Sequence, residues 1–147
     1  MEKSGKFRLT SLERNWILYD VGNSAFVLMV ATLIPIFFNA LAAAGGLSSV
    51  EYLAYWGYAS SAVTIITAIL SPILGTLADT KGFKKPIFLL CVWVGIVGCI
   101  AMGKMSAWLP FLVIFVIAKV GFSGSLVFYD SMLSDVTSPE RMDEVSS

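Results

Sequence analysis

Four apolar stretches, residues 16–44, 53–78, 86–103 and 108–133, take up most of this 147-residue chain. Crossing the hydrocarbon of a bilayer as a helix takes about 20 mostly apolar residues, and each stretch supplies roughly that many or more. Short segments with helix breakers separate them: Gly45-Gly46, then Lys81-Gly82, then 103–107. The sequence therefore predicts an all-α membrane protein with four transmembrane helices. Composition points the same way. The chain is 57% hydrophobic and 14% charged, whereas about a quarter of an ordinary soluble domain is charged. One soluble core of this size could not hide so much apolar side chain and still cover its surface. An ordinary soluble enzyme is excluded on that ground. Ten acidic and ten basic residues cancel, so the clustered positive surface of a nucleic-acid-binding module is missing. A disordered tail would have the opposite composition.

The first stretch ends in Ala42-Ala43-Ala44, which looks like a small-residue cleavage site. Its apolar region is about twice the length of a signal-peptide core, and it contains Asp20 and Asn23. It is read as an uncleaved helix. Lysine and arginine placement sets the orientation of such helices. The leading tail (1–15) carries Lys3, Lys6, Arg8 and Arg14, the second connection carries Lys81, Lys84 and Lys85, and Arg141 follows the fourth stretch. The other side has Lys104 alone, a count of eight against one. Both termini are expected in the cytoplasm, in a multi-pass protein of the cell (inner) membrane.

The stretches differ in character. Residues 86–103 contain no charged, amide or hydroxyl side chain, and a helix apolar all round can face lipid over much of its surface. The second stretch carries Ser60, Thr64, Thr67 and Ser71 at spacings of four, three and four. Such a stripe marks close helix packing or the lining of a pathway. Cys91 and Cys99 lie eight residues apart, about 12 Å along a helix, too far for a disulfide. They read as small buried or lipid-facing side chains.

Ionisable groups at bilayer depth cost several kcal/mol and turn toward a bundle interior or a wet cavity. Lys119 lies eleven residues into the fourth stretch, about 16 Å from its end and near the midplane. It reads as a substrate-anion or proton-coupling site, or as half of a structural ion pair. Ser123 and Asp130 follow on the same helical face. In the first stretch Asp20 and Asn23 are one turn apart with Ser24 beside them; Asp20 is a cation or proton ligand, or a capping and pairing group at the interface. Pro35 interrupts the same helix, and the carbonyl it frees permits a kink of use in gating.

Gly121-Phe122-Ser123-Gly124 resembles the Gly-x-Ser-Gly pattern of rhomboid intramembrane proteases. Their serine works with a histidine on another helix, and a serine nucleophile needs such a base. This chain has no histidine, so an intramembrane serine protease fragment is the remotest reading and no enzyme is expected. No phosphate-binding glycine loop and no His/Cys cluster with metal-ligand spacing is present, so no cofactor is expected.

The second connection reads Gly75-Thr76-Leu77-Ala78-Asp79-Thr80-Lys81-Gly82-Phe83-Lys84-Lys85-Pro86. It resembles the loop between helices two and three of the major facilitator superfamily, of the type Gly-x-Leu-Ala-Asp-Arg-x-Gly-Arg-Arg/Lys. Gly75 would let another helix backbone approach closely. Asp79 would meet a basic side chain or a partner helix N-terminus, and Gly82 permits the tight turn. Lys81, Lys84 and Lys85 would hold the loop in the cytoplasm. The resemblance implies a latch between the two halves of a transporter. Thr80 and Phe83 stand where the superfamily loop usually has basic residues. Two further segments resemble the vacuolar amino-acid effluxer-like, autophagy-related branch. They are Trp16-Ile17-Leu18-Tyr19-Asp20-Val21-Gly22-Asn23-Ser24-Ala25-Phe26, and Phe128-Tyr129-Asp130-Ser131-Met132-Leu133, with Asp130 where the branch has Asn.

In this superfamily the first and fourth helices line the central cavity and the third is peripheral, which agrees with charges at Asp20 and Lys119 and none in 86–103. Such transporters pair two six-helix halves, each an inverted pair of three-helix repeats. Four helices supply one repeat and the start of the next, and the polar segment 134–147 would lead into a fifth. The resemblance thus implies the N-terminal part of a secondary active transporter, moving a small solute across the cytoplasmic membrane by alternating access. The alternative is a small oligomerising membrane scaffold subunit. Expected partners are an unidentified small-molecule substrate, with or without a coupled proton, the lipid bilayer, and either the remaining helices of the same transporter or further copies of the chain. No nucleic acid is expected.

Overall fold

The computed structural model describes residues 10–136, with side chains to residue 132. Among these residues there are four helices and no strand: α1 (Ser11–Ala44), α2 (Ser49–Asp79), α3 (Lys84–Met102) and α4 (Trp108–Val136). All four are long and apolar enough to cross a membrane, and the protein is a multi-pass integral membrane protein.

The helix ends follow from local chemistry. α1 and α2 each open on a capping box. The Thr10 hydroxyl accepts from the Glu13 amide at 3.2 Å while the Glu13 carboxylate accepts from the Thr10 amide at 2.8 Å. Ser48 and Glu51 repeat the arrangement at 3.3 and 2.8 Å. These caps start both helices ahead of their apolar runs. α1 closes on a Schellman turn: Gly46 sits at φ +84°, its amide donates to Ala43 and the Leu47 amide donates to Ala42. The α2–α3 turn likewise needs a left-handed residue, which Gly82 supplies at φ +90°.

α4 is the hub, packed most extensively against α3, then α2, then α1. On the α3 side the contact is made by glycines. A Cβ placed at Gly98 would lie 2.5 Å from the Cβ of Ala118, and one at Gly121 would lie 2.7 Å from Val94 Cγ1. Gly124 faces Cys91 and Leu74 equally closely, at 3.2 Å. Lipid is as apolar as leucine, so helices in a membrane gain association energy chiefly by such close approach. The Gly121-Phe122-Ser123-Gly124 run is therefore a packing seam in the fold. The outer face of α3, with Leu89, Leu90, Trp93, Ile96, Val97 and Ile100, is exposed, as its all-apolar sequence predicts.

On the α2 side, aromatic rings fill the interface. Phe38 of α1 is fully buried and stacks on Trp56 at 5.6 Å and on Phe111 at 6.0 Å, and Trp56 stacks on Phe115 at 4.8 Å. The Tyr52 hydroxyl donates to the Pro35 carbonyl at 3.3 Å. At the opposite end α1 is clasped to α4. Trp16 stacks on Tyr129 at 4.4 Å, its indole N–H donates to the Tyr129 carbonyl at 3.4 Å, and the Tyr129 hydroxyl donates back to the Trp16 carbonyl at 3.2 Å.

Candidate functional site

Where α1, α2 and α4 diverge between these two aromatic clusters, a concavity of about 350 Å³ opens. Pro35 lines it from α1, Trp56, Ser60 and Thr64 from α2, and Phe115 and Lys119 from α4. Lys119 lies eleven residues from Trp108 and thirteen from Met132, so about 16 and 20 Å of helix separate it from the two ends of the span. Its ammonium stands 5.4 Å from the Phe122 ring centroid and 5.8 Å from that of Phe26. Those rings pack on one another at 4.1 Å across the α1–α4 seam. Aromatic faces attract a cation by about 0.5–2 kcal/mol, less than the cost of holding a bare charge at this depth. Among the described residues no carboxylate comes within ion-pair distance of it. The site thus presents a half-buried cation, two hydroxyl-bearing residues and aromatic walls in one recess.

The hydroxyl stripe of α2 divides. Ser60 and Thr64 face the concavity, Thr64 donating to the Ser60 carbonyl at 3.0 Å. Thr67 is turned inward, its hydroxyl buried without a hydrogen-bond partner. Packing and lining are thus both served by one stripe, at different depths.

The other sequence-predicted residues do not gather around Lys119. Ser123, one turn further along α4, is half-buried. Asn23 lies in a separate groove of about 390 Å³ between α1, α3 and α4, shared with Tyr19, Phe122 and Ser125; its carbonyl oxygen is buried and unpartnered. Asp20 and Asp130 are both exposed and flank Tyr129, close enough to act on one another electrostatically. Asp130 is eleven residues beyond Lys119, about 16 Å along the axis. Four of the five residues therefore occupy three places, the recess with Lys119, the Asn23 groove, and the carboxylate pair at the end of the bundle, and Ser123 lines neither the recess nor the groove.

Ser125 is the polar residue that sequence reasoning missed. It is 1% exposed, bonded to the Tyr19 hydroxyl at 2.5 Å and donating to the Phe122 carbonyl at 2.7 Å. The available signal was helical phase: Ala118, Gly121 and Ser125 recur at spacings of three and four, the small-residue face that packs.

In the α2–α3 connection, Asp79, Lys81, Gly82, Lys84 and Lys85 surround a further concavity of about 450 Å³. The Lys84 ammonium donates to the Ser131 carbonyl at 3.5 Å and so ties the loop to the end of α4. A Cβ at Gly75 would meet nothing within 4 Å among the described residues, so any backbone that this glycine admits comes from outside them.

Comparison with known proteins identifies the set to which this arrangement belongs. Residues 44–144 match the vacuole effluxer Atg22-like family. Over 143 residues, 95% of the chain, the sequence is 41% identical to an uncharacterized MFS-type transporter, YxiO, of Bacillus subtilis (strain 168). The match covers 33% of that protein, so the chain spans about a third of the length of this curated relative. No solved structure matches. The family match takes in α2, α3, the loop between them and α4, and the chain belongs to the vacuole effluxer Atg22-like family of the major facilitator superfamily.

Proposed function

We propose that these four helices are the first part of a secondary active transporter that moves a small solute across the cell membrane by alternating access, with both termini in the cytoplasm. The observation that carries the reading is Lys119: a cation at mid-span, in a recess with Ser60 and Thr64, with no carboxylate in ion-pair reach among the described residues. A fixed charge at that depth favours an anionic group on the substrate, which would regain in the recess the electrostatic partner it loses on leaving water. The hydroxyls of Ser60 and Thr64 would orient it, and Trp56 and Phe115 would cover its apolar part. Asp20 and Asp130, exposed on either side of Tyr129, are the candidate proton-coupling carboxylates. The 75–86 loop would steady one conformation as the latch of the superfamily does.

The test uses the full-length transporter in proteoliposomes. Small carboxylates, phosphates and their neutral analogues are first screened for thermal stabilisation, and each hit is then measured for uptake. Lys119→Met should abolish both binding and uptake of the anionic hit, and Lys119→Arg should retain part of each. Undiminished uptake and unchanged pH dependence in Lys119→Met would remove Lys119 from the mechanism. An intact native mass near 15.9 kDa with a stable homo-oligomer would favour the scaffold subunit instead.

A further inference from the structure

The α2–α3 connection is unusually constrained. α2 ends at Asp79 and α3 begins at Lys84, so residues 80–83 join two helices that each have the length and apolarity to cross a membrane. Four residues reach at most about 14 Å when extended, and Gly82 folds this segment back on itself. α3 has 19 residues, about 28 Å of helix, just enough to cross the hydrocarbon, which puts its first turn and the loop near the level of the lipid headgroups. Its charges are three lysines against one aspartate, grouped around a single concavity of about 450 Å³. Lys84 is drawn toward Ser131 on α4, while Lys81 and Lys85 are exposed. Phe83, between them in sequence, is 52% exposed. An exposed phenylalanine on a charged loop gains nothing from water, but at a membrane interface an aromatic ring is an anchor. The same helix continues into the exposed Leu89, Leu90 and Trp93, an apolar face suited to lipid. No side chain caps the first turn of α3.

We propose that this loop binds the headgroup of an anionic phospholipid, with the phosphate held between Lys81 and Lys85 and the Phe83 ring sunk beside the first carbons of the acyl chains. Each lysine near an anionic membrane surface contributes about 1 kcal/mol, which at 1.4 kcal/mol per decade is about fivefold in affinity.

The experiment is native mass spectrometry of the full-length transporter, released from nanodiscs of equal parts phosphatidylglycerol and phosphatidylcholine. The wild type should retain phosphatidylglycerol over phosphatidylcholine. Lys81→Gln with Lys85→Gln should cut that preference about 25-fold, the product of two fivefold effects. Phe83→Ala should weaken retention of both lipids and leave their ratio unchanged, and Lys104→Gln, on a different connection, should change nothing. Absence of a preference in the wild type overturns the proposal without reliance on any variant. So does a preference that survives the double substitution, or one that Lys104→Gln removes equally. Release of the bound lipid by millimolar inorganic phosphate would assign the lysines to a soluble anion and overturn the lipid assignment.

Discussion

Replacing Gly98 by alanine adds one methyl group at the tightest point of the α3–α4 seam. The new Cβ would lie 2.5 Å from the Ala118 Cβ and 3.2 Å from its Cα. Carbon atoms are at their optimum about 3.5–4.0 Å apart, so the two helices would have to separate by about 1 Å. Both atoms are bonded directly to backbone, so no rotamer change relieves the clash. Overpacking of this kind costs about 1–3 kcal/mol. The separation would also loosen the neighbouring approach of Gly121 to Val94 and Cys91, which puts the expected loss in the upper half of that range. The check is the fraction folded of the purified chain against SDS in mixed micelles, for Gly98→Ala, Ala118→Gly and the pair. Ala118→Gly alone should cost about 1 kcal/mol in helix propensity. The pair should recover most of the Gly98→Ala loss, because it returns the same single methyl to the other side of the seam. Gly103→Ala is the control, since a Cβ there meets only two carbonyl oxygens at 3.6 and 3.9 Å. Wild-type stability in Gly98→Ala, or a pair no more stable than the sum of its single losses, would refute the seam as the basis of α3–α4 association.

Tyr19→Phe removes the hydroxyl bonded to the buried Ser125. Hydrogen bonds between membrane helices average about 0.6 kcal/mol, so a loss of about 0.5–1 kcal/mol in the same denaturation assay is expected; a wild-type curve would mean that water replaces the tyrosine. Gly82→Val places a β-branched residue at φ +90°. It should cost about 1–2 kcal/mol and raise the rate of limited proteolysis between residues 79 and 85 in a protease-accessible preparation, whereas an unchanged rate would show that the turn adopts another conformation.

Much of this fold was legible because the bilayer leaves so few options. Apolar length alone marks four helices, and the Thr10–Glu13 and Ser48–Glu51 pairs, three residues apart, are readable as capping boxes that carry two of them beyond their apolar runs. Lys119 was legible for the same reason, as an unavoidable expense at mid-membrane. What it faces was not, because the recess is made by Pro35, Trp56, Ser60 and Thr64 from two other helices. The α2 stripe was ambiguous since Ser60 and Thr67 have identical sequence signatures and different depths. Gly121 and Gly124 were visible as a pattern, but only the structure supplies Val94, Cys91 and Leu74 as the surfaces that need them small. Ser125 was not legible because two positions along a helix turn a side chain to a different neighbour, and only the structure places it against Tyr19.

That α4 is the hub has a consequence for biosynthesis. α1 and α2 leave the ribosome first, yet they touch one another little, and α3 touches α2 even less. Until α4 is made, the earlier spans hold on to little beyond the packing of Phe38 on Tyr52 and Trp56, and Gly95 and Gly98 wait without the α4 backbone that they fit. Three loosely associated helices would therefore await the fourth in the bilayer. The fourth, made last of the set, draws α3 into a tight hairpin, receives α2 along its aromatic side, and captures α1 through the Trp16–Tyr129 clasp. A ribosome stalled before Trp108 would leave three spans in the bilayer and no bundle, and quality control would meet them as orphans.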